Sequence, residues 1–138
     1  MRTKYRMVFN KLLYAAGAQL RYSIENQKLL SWENQNFDGD VFQCISIEGG
    51  SVDSNFSNCE FNQLDWYWGL FNEIDFLNCK FFNCRFRGSV FAACKFINCE
   101  FVGCEFTSDN LNSPCEFKDS SHRDCTFKNC KGFNAKHI

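Results

Sequence analysis

Proline occurs once in these 138 residues, at Pro114, and histidine only twice. No apolar run approaches the roughly 20 residues of a membrane span, no glycine-rich loop is shaped to cradle a phosphate, and lysine and arginine form no stripe of the kind that grips a nucleic-acid backbone. A membrane anchor, a nucleotide-binding loop and direct nucleic-acid contact are therefore not expected. A secretory leader is incomplete as well. Met1 to Arg6 is basic and Ala16-Gly17-Ala18 resembles a cleavage site, but Asn10 and Lys11 break the apolar run between them. The expectation is a cytoplasmic protein whose thiols stay reduced. Nor is charge of one sign concentrated: the formal net charge is -1, with six basic side chains against Glu25 and Glu33 in residues 1–36, and nine basic against fourteen acidic ones in the remainder.

What the chain has in excess is phenylalanine, 17 residues, and cysteine, 10. Ten cysteines would suit a disulfide-stapled secreted scaffold, but such scaffolds are short, rich in loops and poor in aromatic core. Here the two residue types are ordered. Phenylalanine recurs at 56, 61, 71, 76, 81, 86, 91, 96, 101 and 106, with Trp66 completing the series. Cysteine keeps the same period two places earlier, at 59, 79, 84, 94, 99 and 104, and Leu64, Gly69, Ile74 and Ser89 fill the intervening slots. After Leu111 the series slips by one across Asn112-Ser113-Pro114 and resumes as Cys115/Phe117, Cys125/Phe127 and Cys130, so Pro114 marks a bulge or loop. Upstream, Phe37, Phe42, Ile47 and Val52 keep the spacing in another register, joined to Phe56 by a step of four.

A spacing of five belongs neither to a strand, with period 2, nor to a helix, with period 3.6. One small and one large side chain inward per unit, and three outward, describe one side of a square coil, so that four units complete a turn and residues 20 apart stack. The outward residues agree. Glu60, Lys80 and Glu100 form one column, Asp65, Arg85 and Glu105 a second, and Asp75, Lys95 and, allowing for the slip, Glu116 a third, each alternating in sign. Opposite charges on neighbouring strands are favourable by roughly 0.2–1 kcal/mol per pair. Asn58, Asn78, Asn98 and Asp119 form a polar column in the same way. Cysteine suits the small inward slot as a compact apolar filler.

The units Cys79-Lys80-Phe81-Phe82-Asn83, Cys84-Arg85-Phe86-Arg87-Gly88 and Cys99-Glu100-Phe101-Val102-Gly103 resemble the pentapeptide-repeat family. The resemblance implies an all-β solenoid, a right-handed quadrilateral β-helix of pentapeptide repeats, here with about five coils and a short N-terminal helical cap. The expected organisation is an N-terminal helix and capping segment over 1–36, the pentapeptide-repeat β-helix over 37–133 and a C-terminal tail over 134–138. Residues 4–16 place Tyr5, Val8, Phe9, Leu12, Leu13 and Ala16 at helical spacing before Gly17, which suits a helix lying over the first coil. Residues 18–36 are expected to add one or two short strands. At the far end Lys131, Lys136 and His137 discourage further strand addition. On function the family is nearly silent: its best-known members imitate DNA and protect bacterial topoisomerases, and others are effectors or immunity factors. Mild acidity, a short rod and the lack of a C-terminal dimerisation element set this sequence apart from the topoisomerase-protecting group.

Stacked cysteines point in parallel, whereas a zinc or iron–sulfur site converges thiolates on one point. No metal or cofactor is expected, and all ten thiols should be free. Ser120, Ser121, His122 and Asp124 have the residue types of a hydrolase triad, but neighbours along a strand alternate in direction and cannot line up nucleophile, base and carboxylate. No enzyme is expected. Outward apolar residues remain: Leu77 with Ile97, Phe82 with Val102, and Leu70 with Val90 form columns, and Tyr67 and Trp68 stand beside them near a corner. Contiguous apolar surface with aromatic anchors marks interfaces. The expected function is a non-catalytic protein-protein binding module, of the bacterial immunity type that binds and masks a toxin or enzyme. Topoisomerase (gyrase) protection by DNA mimicry is the alternative. The protein partner is expected to meet a monomer, with pairing through a coil end as the other arrangement.

Overall fold

The computed structural model describes residues 31–43 and 46–132. The helical cap expected over residues 4–16, the tail over 134–138 and Cys44 lie outside the described residues. From Glu60 to Thr107 the chain repeats one element, a three-residue strand whose central side chain points inward and whose flanks point outward. Two residues after each inward ring from Phe56 to Phe101, and again after Phe117, His122 and Phe127, the backbone takes a left-handed φ of 53–66° and turns a corner. Asparagine, aspartate and glycine reach that region at least cost. They fill most corners, among them Asn58, Asn78, Asn83, Gly88, Asn98, Gly103, Asp119, Asp124 and Asn129. The corner amide then donates to the coil above, as Asn78 N does to the Ile97 carbonyl at 2.9 Å.

Four faces result. The first stacks Val41–Gln43, Glu60–Asn62, Lys80–Phe82, Glu100–Val102 and Thr126–Lys128. The second stacks Ser46–Glu48, Asp65–Tyr67, Arg85–Arg87 and Glu105–Thr107. The third carries Leu70–Asn72, Val90–Ala92 and Glu116–Lys118, the fourth Asp75–Leu77, Lys95–Ile97 and Ser121–Arg123, and the long strands Ser31–Asp38 and Ser51–Ser57 run beneath both. All pairing is parallel, with partners 20 apart through the regular part, such as Phe76 with Phe96 and Phe81 with Phe101. Inside, rings of one face stack flat, Phe76 on Phe96 at 4.8 Å and 1°, Phe81 on Phe101 at 4.5 Å and 2°, and rings of adjoining faces meet edge to face, Phe76 with Phe81 at 66°. Both are favourable arrangements of aromatic quadrupoles. The fold is thus the square solenoid that the period implies, four or five strands deep on its first two faces.

The step of four between Val52 and Phe56 removes a corner. Ser51–Ser57 runs straight across two faces, Ser54 points inward at 3% exposure, and its hydroxyl accepts the Gln35 amide at 3.1 Å. Pairing of this strand begins at Ser31, inside the segment assigned to the cap.

The slip near Pro114 is larger than one residue. Arg85 pairs with Glu105, 20 apart, but Val90 pairs with Glu116, 26 apart, so a whole unit and one residue leave the coil as a loop over residues 108–114. Two sequence expectations change with it. Glu116 stands over Val90, and it is Ser121 that follows Lys95 in the third charge column. Arg123 stands over Ile97, which sets Asp124 and not Asp119 above Asn98 in the polar column. The lower part of that column is as expected, Asn98 donating to Asn78 at 2.6 Å and Asn78 to Asn58 at 3.3 Å.

The nine described cysteines are free thiols. Their slot is more than a gap to be filled. Cys79 Sγ donates towards the carbonyls of Phe56 and Leu77, both at 3.4 Å, and Cys84 and Cys94 repeat the pattern one and three units on. Ser89 in the same slot also reaches the Trp66 carbonyl, at 3.2 Å. Cysteine therefore combines small volume with a weak donor for carbonyls near the corner.

Candidate partner-binding corner

The eight outward residues singled out in the sequence occupy all four faces. Leu70 and Val90 are register partners on the third face, Leu77 and Ile97 on the fourth, and Phe82 and Val102 on the first. Tyr67 ends a strand of the second face, and Trp68 turns the corner from the second face into the third. They therefore form one cluster and two separate pairs. Tyr67, Trp68, Leu70 and Val90 gather around the corner between the second and third faces, whereas Leu77 and Ile97 end strands of the fourth face, beside the corner into the first, and Phe82 and Val102 end strands of the first face, beside the corner into the second. Trp68 and Leu70 are exposed at 46% and 42%, whereas Leu77, Phe82, Ile97 and Val102 are half-buried against their neighbours.

The loop of residues 108–114 leaves the solenoid at the first of these corners, two coils above Trp68. Asp109 organises it: its Oδ1 accepts the amides of Leu111 and Ser113, each at 2.8 Å, and its Oδ2 accepts the Trp68 indole N–H at 2.7 Å. These donors, with the Ser113 amide first, hold the Asp109 carboxyl below its ordinary value. Tyr67 joins from beneath, its hydroxyl accepting the Asn110 amide at 2.9 Å while its ring lies 4.6 Å from that of Trp68. Gly88 lies in the same corner column between Trp68 and the loop, and a side chain there would place Cβ 2.8 Å from Asp109 Cβ. Leu111, at the tip, is 76% exposed.

Beside the loop, Ser46, Ile47, Glu48, Asp65, Tyr67, Arg87 and Asn110 line a hollow of about 300 Å³. The Arg87 guanidinium lies 4.8 Å from the Tyr67 ring centroid and 3.5 Å from Asp65. Next to them the expected column of Asp65, Arg85 and Glu105 is in register, with Arg85 Nε 3.9 Å from Glu105. Exposed pairs of this kind contribute about 0–1 kcal/mol each, so they set the charge pattern of the face more than its stability.

A strand of three residues, a left-handed corner and a ring two places before it recur with a period of five through four faces. The chain folds as a pentapeptide-repeat β-helix. No family model matches it and no curated protein matches it. A solved structure that aligns with it is that of a pentapeptide repeat protein, Rfr23, from the cyanobacterium Cyanothece 51142, at 11% identity over 78% of this chain and 98% of that one, with a TM-score of 0.26. The period and the strand register carry the fold assignment without that overlap.

In this pentapeptide-repeat coil the residues of the apparent triad have other surroundings. Ser120 occupies a cysteine slot, where its Oγ donates to the Phe91 carbonyl at 3.0 Å and accepts the Cys94 amide at 3.0 Å. His122 takes a phenylalanine position, edge-on to Phe127 at 5.6 Å, and Asp124 turns a corner. Among the described residues no three histidine, cysteine or acidic side chains are grouped as metal ligands, and no helix is long and apolar enough to cross a membrane. Asp109 as the partner of Trp68, Asn110 as the partner of Tyr67 and Leu111 at the loop's tip went unnoticed in the sequence. The one signal there was an exposed-type leucine between two asparagines where the period breaks.

Proposed function

We propose that this protein is a non-catalytic protein-binding module, of the bacterial, cytoplasmic immunity type, that docks on a toxin or enzyme and masks it. The observation behind this reading is the corner that gathers Tyr67, Trp68, Leu70 and Val90, with two large apolar side chains exposed above 40% on a backbone fixed by strand pairing. A preformed surface binds without a large ordering cost, and rigid aromatic residues are efficient anchors. Gyrase protection by DNA mimicry would need a continuous acidic face; the alternation of Asp65, Arg85 and Glu105 and the pairing of Arg87 with Asp65 count against it.

Trp68→Asn tests the reading. Asparagine is at ease in the left-handed backbone that Trp68 adopts at φ 62°, which offsets part of the lost indole bond to Asp109, so the variant should stay folded and melt within a few degrees of the wild type. With the protein that co-purifies from the source cell, then measured in purified form by calorimetry, affinity should fall by about tenfold or more. Loss of binding in Phe82→Asp but not in Trp68→Asn would move the interface to the first face. A wild-type chain that binds no protein would end the reading altogether.

A further inference from the structure

We infer that the loop of residues 108–114 is the built anchor of that interface, and that Leu111 is the side chain it delivers into an apolar pocket on the partner protein. The inference rests on the binding-module reading above and assigns the loop its role within it.

The coil does not need this loop to close. Every turn below it closes in 19 or 20 residues, and the strands above it, Glu116–Lys118 onward, resume the same faces as if nothing intervened. Yet three positions on lower coils are shaped to seat it. Trp68 stands in a left-handed corner where asparagine, aspartate or glycine is usual, and its indole reaches the loop carboxylate. Gly88, directly between, leaves the space that Asp109 occupies. The Tyr67 hydroxyl holds the Asn110 amide. A bulky residue kept at positive φ is a costly corner, and here it coincides with one of the two hydrogen bonds that fix the loop from below.

The same bonds decide what the tip presents. Asp109 is the only charged residue in the loop, and its two oxygens are directed at Trp68 and at the loop's own amides. The backbone is tied further by Asp109 N to the Ser113 carbonyl at 3.0 Å and Asn112 N to the Asp109 carbonyl at 3.1 Å. What faces outward is Asn110, Leu111 and Asn112, uncharged, with Leu111 the most exposed large apolar side chain among the described residues. Such a tip fits a pocket sized for one branched aliphatic chain, rimmed by neutral hydrogen-bonding groups that can meet two amides. A phosphate backbone or a strongly charged groove would leave Leu111 in water and offer Asn110 and Asn112 no advantage. Fixing the tip in advance removes the ordering cost that the loop of residues 108–114 would otherwise carry into the complex.

The test uses the full chain and the co-purified partner. Leu111→Asp should weaken binding by about 10- to 100-fold, Leu111→Met should stay within about threefold of wild type, and both should melt as the wild type does, since the side chain touches water. Asp109→Ala, which frees the tip without altering Leu111, should weaken binding less than Leu111→Asp. Affinity unchanged in Leu111→Asp while Trp68→Asn binds poorly would overturn the role of the loop and leave the binding module standing. Absence of any partner for the wild-type chain would remove both.

Discussion

At the scale of single residues, the core is uniform except where two departures compensate each other. Trp66 replaces a phenylalanine and Gly69 replaces a cysteine, and both stand out in the sequence as exceptions to the period. Their relation does not, because the two positions lie on adjoining sides of the square. In the fold, a Cβ at Gly69 would sit 2.4 Å from the Trp66 indole, so the larger ring fills the volume that the missing side chain leaves. The indole N–H donates to the Gly49 carbonyl at 2.8 Å. Gly69→Ala should therefore cost about 1–3 kcal/mol by overpacking, read from urea unfolding. Trp66→Phe should also destabilise, but Trp66→Phe with Gly69→Cys restores the regular unit, and the pair should couple strongly in a double-mutant cycle. Additive effects would show that the indole does not use that space. Asparagine gave a comparable half-legible signal: its column every 20 residues was readable, but its reason at each corner is the left-handed φ near 55°, which periodicity alone does not reveal.

At the scale of elements, what was legible was phase, and what was not was length. A loop that removes one unit and one residue leaves the same remainder of five as a single-residue slip, so the inward residues Phe117 and Phe127 were placed correctly while Glu116 and Asp119 were set on the wrong face or coil. The loop itself carries a pH dependence. The Ser113 amide and the Trp68 indole hold the Asp109 carboxyl below its ordinary value. Because the folded value is the lower one, the latch contributes fully above the ordinary carboxylate range and is lost only as pH falls through the depressed folded value. The Trp68 indole N–H resonance should hold its position from neutral pH down to about 4, the usual range for aspartate, and move below it. In Asp109→Asn that acid transition should vanish. A midpoint at or above the ordinary aspartate value would mean that the carboxylate does not receive these bonds.

At the scale of the whole molecule, a stack in which each coil touches only its neighbours should open from an end and not as one body. The thiols report on this, since from Cys79 onward most units carry one. Cys59, Cys79, Cys84, Cys94, Cys99 and Cys104 are buried, whereas Cys115, Cys125 and Cys130 in the last described coil are only half-buried. Burial among the rings pushes Cys94 up to about 11 and Cys79 and Cys84 upward too, but hydrogen bonds from Cys125 and Cys79 bring Cys99 down to about 4 and one from Cys84 lowers Cys104, so access and not thiolate content sets the order in which the thiols react. Alkylation followed by peptide mass spectrometry at rising urea should then modify Cys115, Cys125 and Cys130 first, with a weak dependence on denaturant. Cys104, Cys99 and Cys94 should follow, with steeper dependence as more surface must be exposed to reach them. Simultaneous modification of the nine described thiols at a single rate would show that the rod unfolds as a unit, and the surface at the loop would then owe its rigidity to global cooperativity. Ordered labelling would locate that rigidity in the coils below, because Tyr67, Trp68 and Gly88 belong to turns that stay closed while the last coil opens.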